Sequence, residues 1–217
     1  VLLALAGCGS SDNGVSEKLP KDALATATTT AQEAQSVHVV SKSSQGPLKS
    51  VVDLRLSKDG ARGTVSFLDF DFEVIRIGQT VYVKGDKLFY RRVKAVLGKL
   101  PYLPAGSWLK GSATAGPLAQ LAAFTDMGGE LERLLSTPGP VTKGAKATIK
   151  GQQAITLREK TKLYEGPLYV ATTGKPYPIE QVKSAGRERG RTSYSGWDEP
   201  VSLEAPSAAV EVGGAAR

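Results

Sequence analysis

Strand-forming segments punctuated by glycine turns fill the first and last thirds of this 217-residue chain, and a helical stretch separates them. The clearest local signal is EVIRIGQTVYVKG, in which two alternating segments flank Gly78-Gln79, a hairpin turn. Upstream, Val37 to Ser43 and Ser50 to Ser57 alternate on either side of Gly46-Pro47, with Val52, Leu54 and Leu56 on one face. Arg62 to Leu68 predicts a third strand. Phe70 to Ile77 predicts a fourth, in which Phe70, Phe72 and Val74 point one way and Ile75 and Ile77 the other. In the last third, strands are predicted at Ala147 to Ile149, Gln153 to Leu157, Leu168 to Thr172, Ile179 to Lys183, Arg191 to Tyr194 and Val201 to Leu203.

Between the two blocks the apolar spacing becomes helical. Lys87 to Leu97 places Leu88, Phe89, Val93, Val96 and Leu97 on one side and Lys87, Arg91, Arg92 and Lys94 on the remainder. Pro101 and Pro104 then interrupt the chain, Trp108-Leu109 reads as a brief extended segment, and Pro117 to Phe124 and Gly129 to Leu135 read as two short helices. A further amphipathic helix, with Leu24, Ala27, Ala31 and Ala34 on a narrow apolar face, is predicted over Lys21 to Gln35.

Strands joined by short turns form antiparallel sheet, and helices grouped together rather than alternating with strands make the class α+β. A twisted sheet of about ten or eleven strands curls rather than staying flat, so a half-barrel is expected, its concave face covered by the central helices. Residues expected to line a cavity between sheet and helices are Phe70, Phe72 and Val74 from the sheet and Phe89, Val93, Leu97, Leu121, Phe124 and Leu134 from the helices. Arg91, Arg92 and Lys94 would stand at its mouth as candidates for anionic headgroups, with the Pro101, Pro104 and Gly106 segment as hinge or lid.

The N-terminus carries a separate signal. Val1 to Gly7 is apolar but far shorter than the roughly 20 residues that span a bilayer, and small polar residues follow Cys8. Leu5, Ala6, Gly7 and Cys8 resemble the bacterial lipobox, in which small residues precede the cut and the thiol accepts a diacylglycerol. The resemblance implies residues 1–7 as the end of a signal peptide, 8–20 as a lipidated Cys8 with a flexible tether, 21–212 as a single domain and 213–217 as a disordered tail. It also implies attachment to the extracytoplasmic face of the cell membrane. With one cysteine no internal disulfide forms, so the domain rests on its core alone.

Charge and chemistry narrow the functional classes. The net charge is +7, with the densest basic cluster at Lys183, Arg187, Arg189 and Arg191. That cluster reads as a solvated hairpin tip around Gly190, and the overall balance also suits anionic lipid headgroups or cell-wall polymers. Export and the lack of an interleaved aromatic and basic motif argue against nucleic acid. His38 is the sole neutral-pH base and alternates with Val37 and Val39, as a surface imidazole would. Asp69 with Asp71, Glu130 with Glu132 and Asp198 with Glu199 are neighbours in sequence, and a solvated strand face, a helix and a turn account for them. No nucleophile elbow, phosphate loop or metal spacing occurs, so neither an enzyme, a cofactor nor a bound metal is expected.

The stretches SVHVVSKS, EVIRIGQTVYVKGD and LYVATTGKPYPIEQV are similar to sections of actinobacterial lipoproteins of the LppX/LprG type, within the wider group of LolA-like lipid carriers. The resemblance runs from Asp22 to about Val212 and rests on structural turns. It implies a half-barrel enclosing a hydrophobic pocket that carries acyl chains of a lipid or lipoglycan through the cell envelope, with no catalytic residue. The alternative is an envelope scaffold or small-solute receptor, with the same space filled by side chains or built around a polar ligand; an envelope protein partner is open under either reading.

Overall fold

A computed structural model describes residues 12–67, 69–97, 106–136 and 139–212 of the chain. Helix α1 (Pro20–Glu33) leads into five consecutive strands, β1 (Ser36–Gln45), β2 (Leu48–Ser57), β3 (Gly60–Phe67), β4 (Phe70–Ile77) and β5 (Thr80–Gly85). The middle third supplies α2 (Lys87–Leu97), a short β6 (Leu109–Ser112), α3 (Ala119–Ala122), a single 3-10 turn (Ala123–Thr125) and α4 (Met127–Leu135). The last third returns to strands: β7 (Val141–Ile149), β8 (Gln152–Lys160), β9 (Tyr164–Ala171), β10 (Pro178–Lys183), β11 (Ala185–Gly186), β12 (Glu188–Ser195) and β13 (Val210–Glu211).

All thirteen strands belong to one sheet ordered β13-β6-β5-β4-β3-β2-β1-β12-β10-β9-β8-β7, with β11 attached to β9. Every pairing is antiparallel except β13 with β6. The order does not close on itself, so the fold is α+β with an open, curled sheet. The excess over the expected strand number comes from two-residue additions, β11 and β13. The two blocks meet where β1 pairs β12, His38 opposite Ser195 and Gln45 opposite Glu188.

One face of this sheet carries the core. Val37 and Val39 of β1, Leu54 and Leu56 of β2, Val74 of β4 and Leu168 and Val170 of β9 are buried together with the helices. Helix α1 reaches them through a stripe of small residues, Ala23, Ala27 and Ala31, each fully buried, and Pro20 begins it where no backbone N–H is needed. Its exposed side carries Lys21, Asp22 and Glu33, so burial of the alanine stripe against α4 and β7 holds it in place. Helix α4 starts at Asp126, whose carboxylate accepts the Gly129 N–H at 2.8 Å; Asp86 likewise accepts the Phe89 N–H at 2.7 Å and fixes the start of α2.

Four local expectations differ from the structure. β7 begins at Val141 rather than Ala147, because as an edge strand it buries little on either face and its lysines hide the alternation. Val201 to Leu203 is not a strand: Leu203 lies against Gly60 and the Ser202 carbonyl accepts from Arg62 at 3.4 Å, so an extended segment packs on β3 without joining the sheet. Gly190 is not a hairpin tip but lies inside β12, paired with Ser43 and Lys183, and a Cβ there would come within 2.4 Å of the Lys42 carbonyl oxygen. The segment read as tether is docked from Asp12 onward: Asp12 bridges Thr173, the Asn13 side chain donates to the carbonyls of Ala171 and Gly174 at 3.0 Å, and Val15 is fully buried. Lys143 closes this contact by donating to the carbonyls of Ser16 and Lys18.

Candidate functional site

Each core strand changes character along its length. On the covered face of β1 the order is Val37, Val39, Ser41, Ser43, and on β2 it is Leu56, Leu54, Val52, Ser50. On β12 Tyr194 is followed by Thr192, Gly190 and Glu188. At one pole the floor of the half-barrel is therefore built of large apolar side chains, and at the other of hydroxyls and glycine. Small residues beneath helices that cannot sink further leave space, because a packed interior fills only with atoms that are present.

That space is a cavity of about 460 Å³. Its apolar wall is β3 and β4, with Val65, Phe67, Phe70 and Phe72; its roof is Leu121 and Phe124 from α3 and the turn after it, and Leu134 from α4. The hydroxyls on its floor are paired with one another, Ser41 with Thr192 at 2.9 Å and Ser43 with Ser50 at 2.8 Å. Lys183 and Glu188, 2.6 Å apart, and Arg133, held by the buried Glu130 at 2.6 and 2.9 Å, complete the polar side. An apolar half faces a hydroxyl and ion-paired half across one cavity.

Behind the polar side lies a buried network. Glu159, with no exposed surface, accepts from Tyr164 at 3.1 Å and from Gln181 at 2.8 Å, and the Lys183 ammonium sits 4.5 Å above the Tyr164 ring. Tyr194 is wholly buried beside it. Its hydroxyl has no hydrogen-bond partner among the described residues, and burial, with Glu159 and Glu130 near, pushes the phenol pKa far upward.

Five of the residues expected from sequence to line a cavity do so together: Phe70, Phe72, Leu121, Phe124 and Leu134. Val74 is fully buried further down β4, and Phe89 lies behind the wall, stacked on Phe72 at 5.3 Å. Val93 and Leu97 belong to α2, and their side chains lie outside the described residues, as do Cys8, Pro101 and Pro104. Arg91, Arg92 and Lys94 are exposed on α2 and none of them lines the cavity; Arg92 stands 3.9 Å from Asp69. The basic groups at the cavity are Arg133, Lys183 and Arg191. The signal for the polar floor was present in the sequence, since Ser41, Ser43 and Ser50 keep the same parity as Val37, Val39 and Val52.

The groups considered for catalysis are dispersed. His38 and Asp53 form a surface pair at 2.7 Å, Asp69 and Asp71 are exposed, and Asp198 ties the end of β12 to the start of β1. Among the described residues no three or more histidine, cysteine or acidic side chains are placed to hold a metal ion, and no helix is long and apolar enough to cross a membrane.

No protein-family model matches the sequence, and no curated protein matches it. Solved structures do match. LprF from Mycobacterium bovis superposes with a TM-score of 0.62 over 92% of this chain and 100% of its own, at 13% identity. The Mycobacterium tuberculosis lipoprotein LppX superposes with a TM-score of 0.54 over 89% of this chain and 100% of its own, also at 13% identity. The chain has the LprF and LppX fold. At this identity the likeness is one of fold, and it bears out the architecture expected from the resemblance to LppX/LprG-type proteins. Within the LprF and LppX fold, the cavity of this chain is the space between its hydroxyl-floored pole and the α3–α4 roof.

Proposed function

We propose that this protein is a membrane-anchored envelope lipoprotein that binds an acyl chain of a lipid or lipoglycan in the cavity between sheet and helices and carries it through the envelope. The observation that carries the reading is the division of one cavity of about 460 Å³ into an aromatic and aliphatic half and a hydroxyl and ion-paired half. An amphiphile needs both. Ligand cavities are typically about 300–1,000 Å³ and mostly apolar, with a few polar groups that set orientation. At about 30 Å³ for a water-sized group, the volume holds on the order of fifteen such groups, which matches one acyl chain rather than several. On this reading the chain lies with its tail against Phe67, Phe70, Phe72, Leu121 and Phe124 and its polar end toward Ser43, Ser50, Lys183 and Arg133.

The anchor is Cys8, acylated after cleavage before it, which places the domain on the extracytoplasmic face of the membrane. The protein works by binding and release, not by catalysis. Support comes from the shared LprF and LppX fold, the second of these being a lipoprotein, and from the dispersed placement of the ionisable groups. The test is native mass spectrometry of the chain purified from its envelope, followed by organic extraction. A lipid leaving in a fixed ratio to protein is the expected result. A bare polypeptide mass that persists after incubation with envelope lipids would replace the carrier by a scaffold.

A further inference from the structure

Three large apolar side chains stand exposed at the pole where the cavity's hydroxyl floor ends: Leu48 (41% exposed), Phe67 (40%) and Leu163 (47%). The sheet register makes them neighbours along one rim. The Leu163 carbonyl accepts from Arg187 and Glu188 at 2.8 and 3.0 Å; Glu188 pairs with Gln45, Gln45 with Leu48, and two residues further along β2 Ser50 pairs with Phe67. At about 4.8 Å per strand step the rim runs for roughly 20 Å. Phe67, Ser50 and Glu188 also line the cavity, so rim and mouth coincide.

The same rim is cationic. Lys49 follows Leu48, Lys162 precedes Leu163, and Arg187 and Arg189 lie between them, all exposed. Carboxylates near by are already paired, Glu188 with Lys183 at 2.6 Å, Glu165 with Lys160 at 3.3 Å and Asp69 with Arg92 at 3.9 Å. Among the described residues none of Lys49, Lys162, Arg187 and Arg189 has a carboxylate partner. The basic cluster seen in the sequence is thus split: Lys183 and Arg191 are held by Glu188 and Glu180, whereas Arg187 and Arg189 face outward. Asp12 and Asn13 dock at the opposite pole, on the turn around Thr173, and leave this rim uncovered.

We infer that the rim is a docking surface for an anionic lipid bilayer, with Leu48, Phe67 and Leu163 entering the headgroup layer and Lys49, Lys162, Arg187 and Arg189 meeting lipid phosphates. Exposed apolar tips inside a ring of unpaired cations are complementary to a negatively charged interface. Docking there sets the cavity mouth against the layer from which an acyl chain leaves or into which it is delivered. The inference rests on the carrier reading for its purpose, but the surface is tested without cargo.

The test uses the full chain with Cys8→Ser, to remove the anchor, in co-sedimentation with vesicles of phosphatidylcholine alone or mixed with phosphatidylglycerol. Binding is expected to the mixed vesicles, to weaken as salt is raised, and to fall on the order of a hundredfold in the triple variant Lys49→Gln, Arg187→Gln, Arg189→Gln. Leu48→Ser with Leu163→Ser is expected to reduce it further, while Lys150→Gln at the opposite pole leaves it unchanged. Unaltered far-UV circular dichroism and thermal midpoint show that each variant is folded. Equal binding to both vesicle types, no binding to either, or loss with Lys150→Gln but not with the rim variants would overturn the inference. If the chain then still retains lipid in native mass spectrometry, the docking surface is wrong and the carrier reading stands.

Discussion

The rings of Phe72 on β4 and Phe89 on α2 stack with centroids 5.3 Å apart and planes 27° apart, and this contact backs the apolar wall of the cavity. Phe89 also lies 6.2 Å from Phe70, and it fits only because Gly85 has no side chain: a Cβ there would meet the Phe89 ring at 2.3 Å. Phe89→Ala is expected to destabilise the protein by about 3–5 kcal/mol, as removal of a buried ring does. Gly85→Ala is expected to lower stability too, by forcing the same ring out of place. Urea denaturation of both variants checks this, and wild-type midpoints would mean that the stack bears no weight.

The hydroxyl floor leads to a second expectation. Ser43 and Ser50 pair with each other at 2.8 Å beneath the cavity, so replacing both removes the hydrogen bond without orphaning either partner. The double variant Ser43→Leu, Ser50→Val is expected to fold normally and to weaken binding of a fluorescent fatty acid by at least about tenfold, or about 1.4 kcal/mol. The measurement is a titration followed by ligand emission.

Much of this site was legible before the fold was known, and the reason lies in period. Phe70, Phe72 and Val74 alternate on β4, so their shared face followed from sequence; Leu121, Phe124 and Leu134 likewise followed from helical spacing. The polar half was harder to read, since Ser41, Ser43 and Thr192 mark a solvated edge as readily as a cavity floor; only the β1 to β12 pairing, which joins the two ends of the chain, puts them together. Arg91, Arg92 and Lys94 matched the requirement for cations near helices, yet α2 carries them outside the cavity, and Lys183 arrives instead from β10. Asn13 was hidden for another reason. Small polar residues read as tether, but a short amide can also take the place of backbone, as its donation to Ala171 and Gly174 does.

Tyr194 is fully buried with a hydroxyl that lacks a hydrogen-bond partner among the described residues. A desolvated, unpaired polar group opposes folding. Tyr194→Phe keeps the ring and removes the group, so stability is expected to be unchanged or raised by about 1 kcal/mol. A thermal scan of the variant against wild type decides it, with a loss of more than about 1 kcal/mol as the contrary outcome.

Asp198 gives the fold a dependence on acid. Its carboxylate accepts from Lys175 at 2.7 Å, from the Gln35 N–H at 2.8 Å and from Tyr177 at 2.7 Å, and these bonds hold its pKa down, from 3.8 to about 2. A lowered folded-state pKa means that the stabilisation is complete above pH 3.8 and is lost as pH falls toward 2. Thermal midpoints measured across that window should fall less steeply for Asp198→Asn than for wild type. Parallel curves would remove Asp198 from the account.

The central claim is that an acyl chain occupies the cavity under α3 and α4. A fatty acid carrying a photoactivatable diazirine in its tail, bound to the full chain, irradiated and mapped by peptide mass spectrometry, tests it most directly. The account expects labels on the 65–72 and 120–124 segments, where Val65, Phe67, Phe70, Phe72, Leu121 and Phe124 meet, and loss of those labels in the Ser43→Leu, Ser50→Val variant. Labels confined to the groove between α1, α4 and β7, around Leu24 and Leu135, or scattered over the surface, would contradict it.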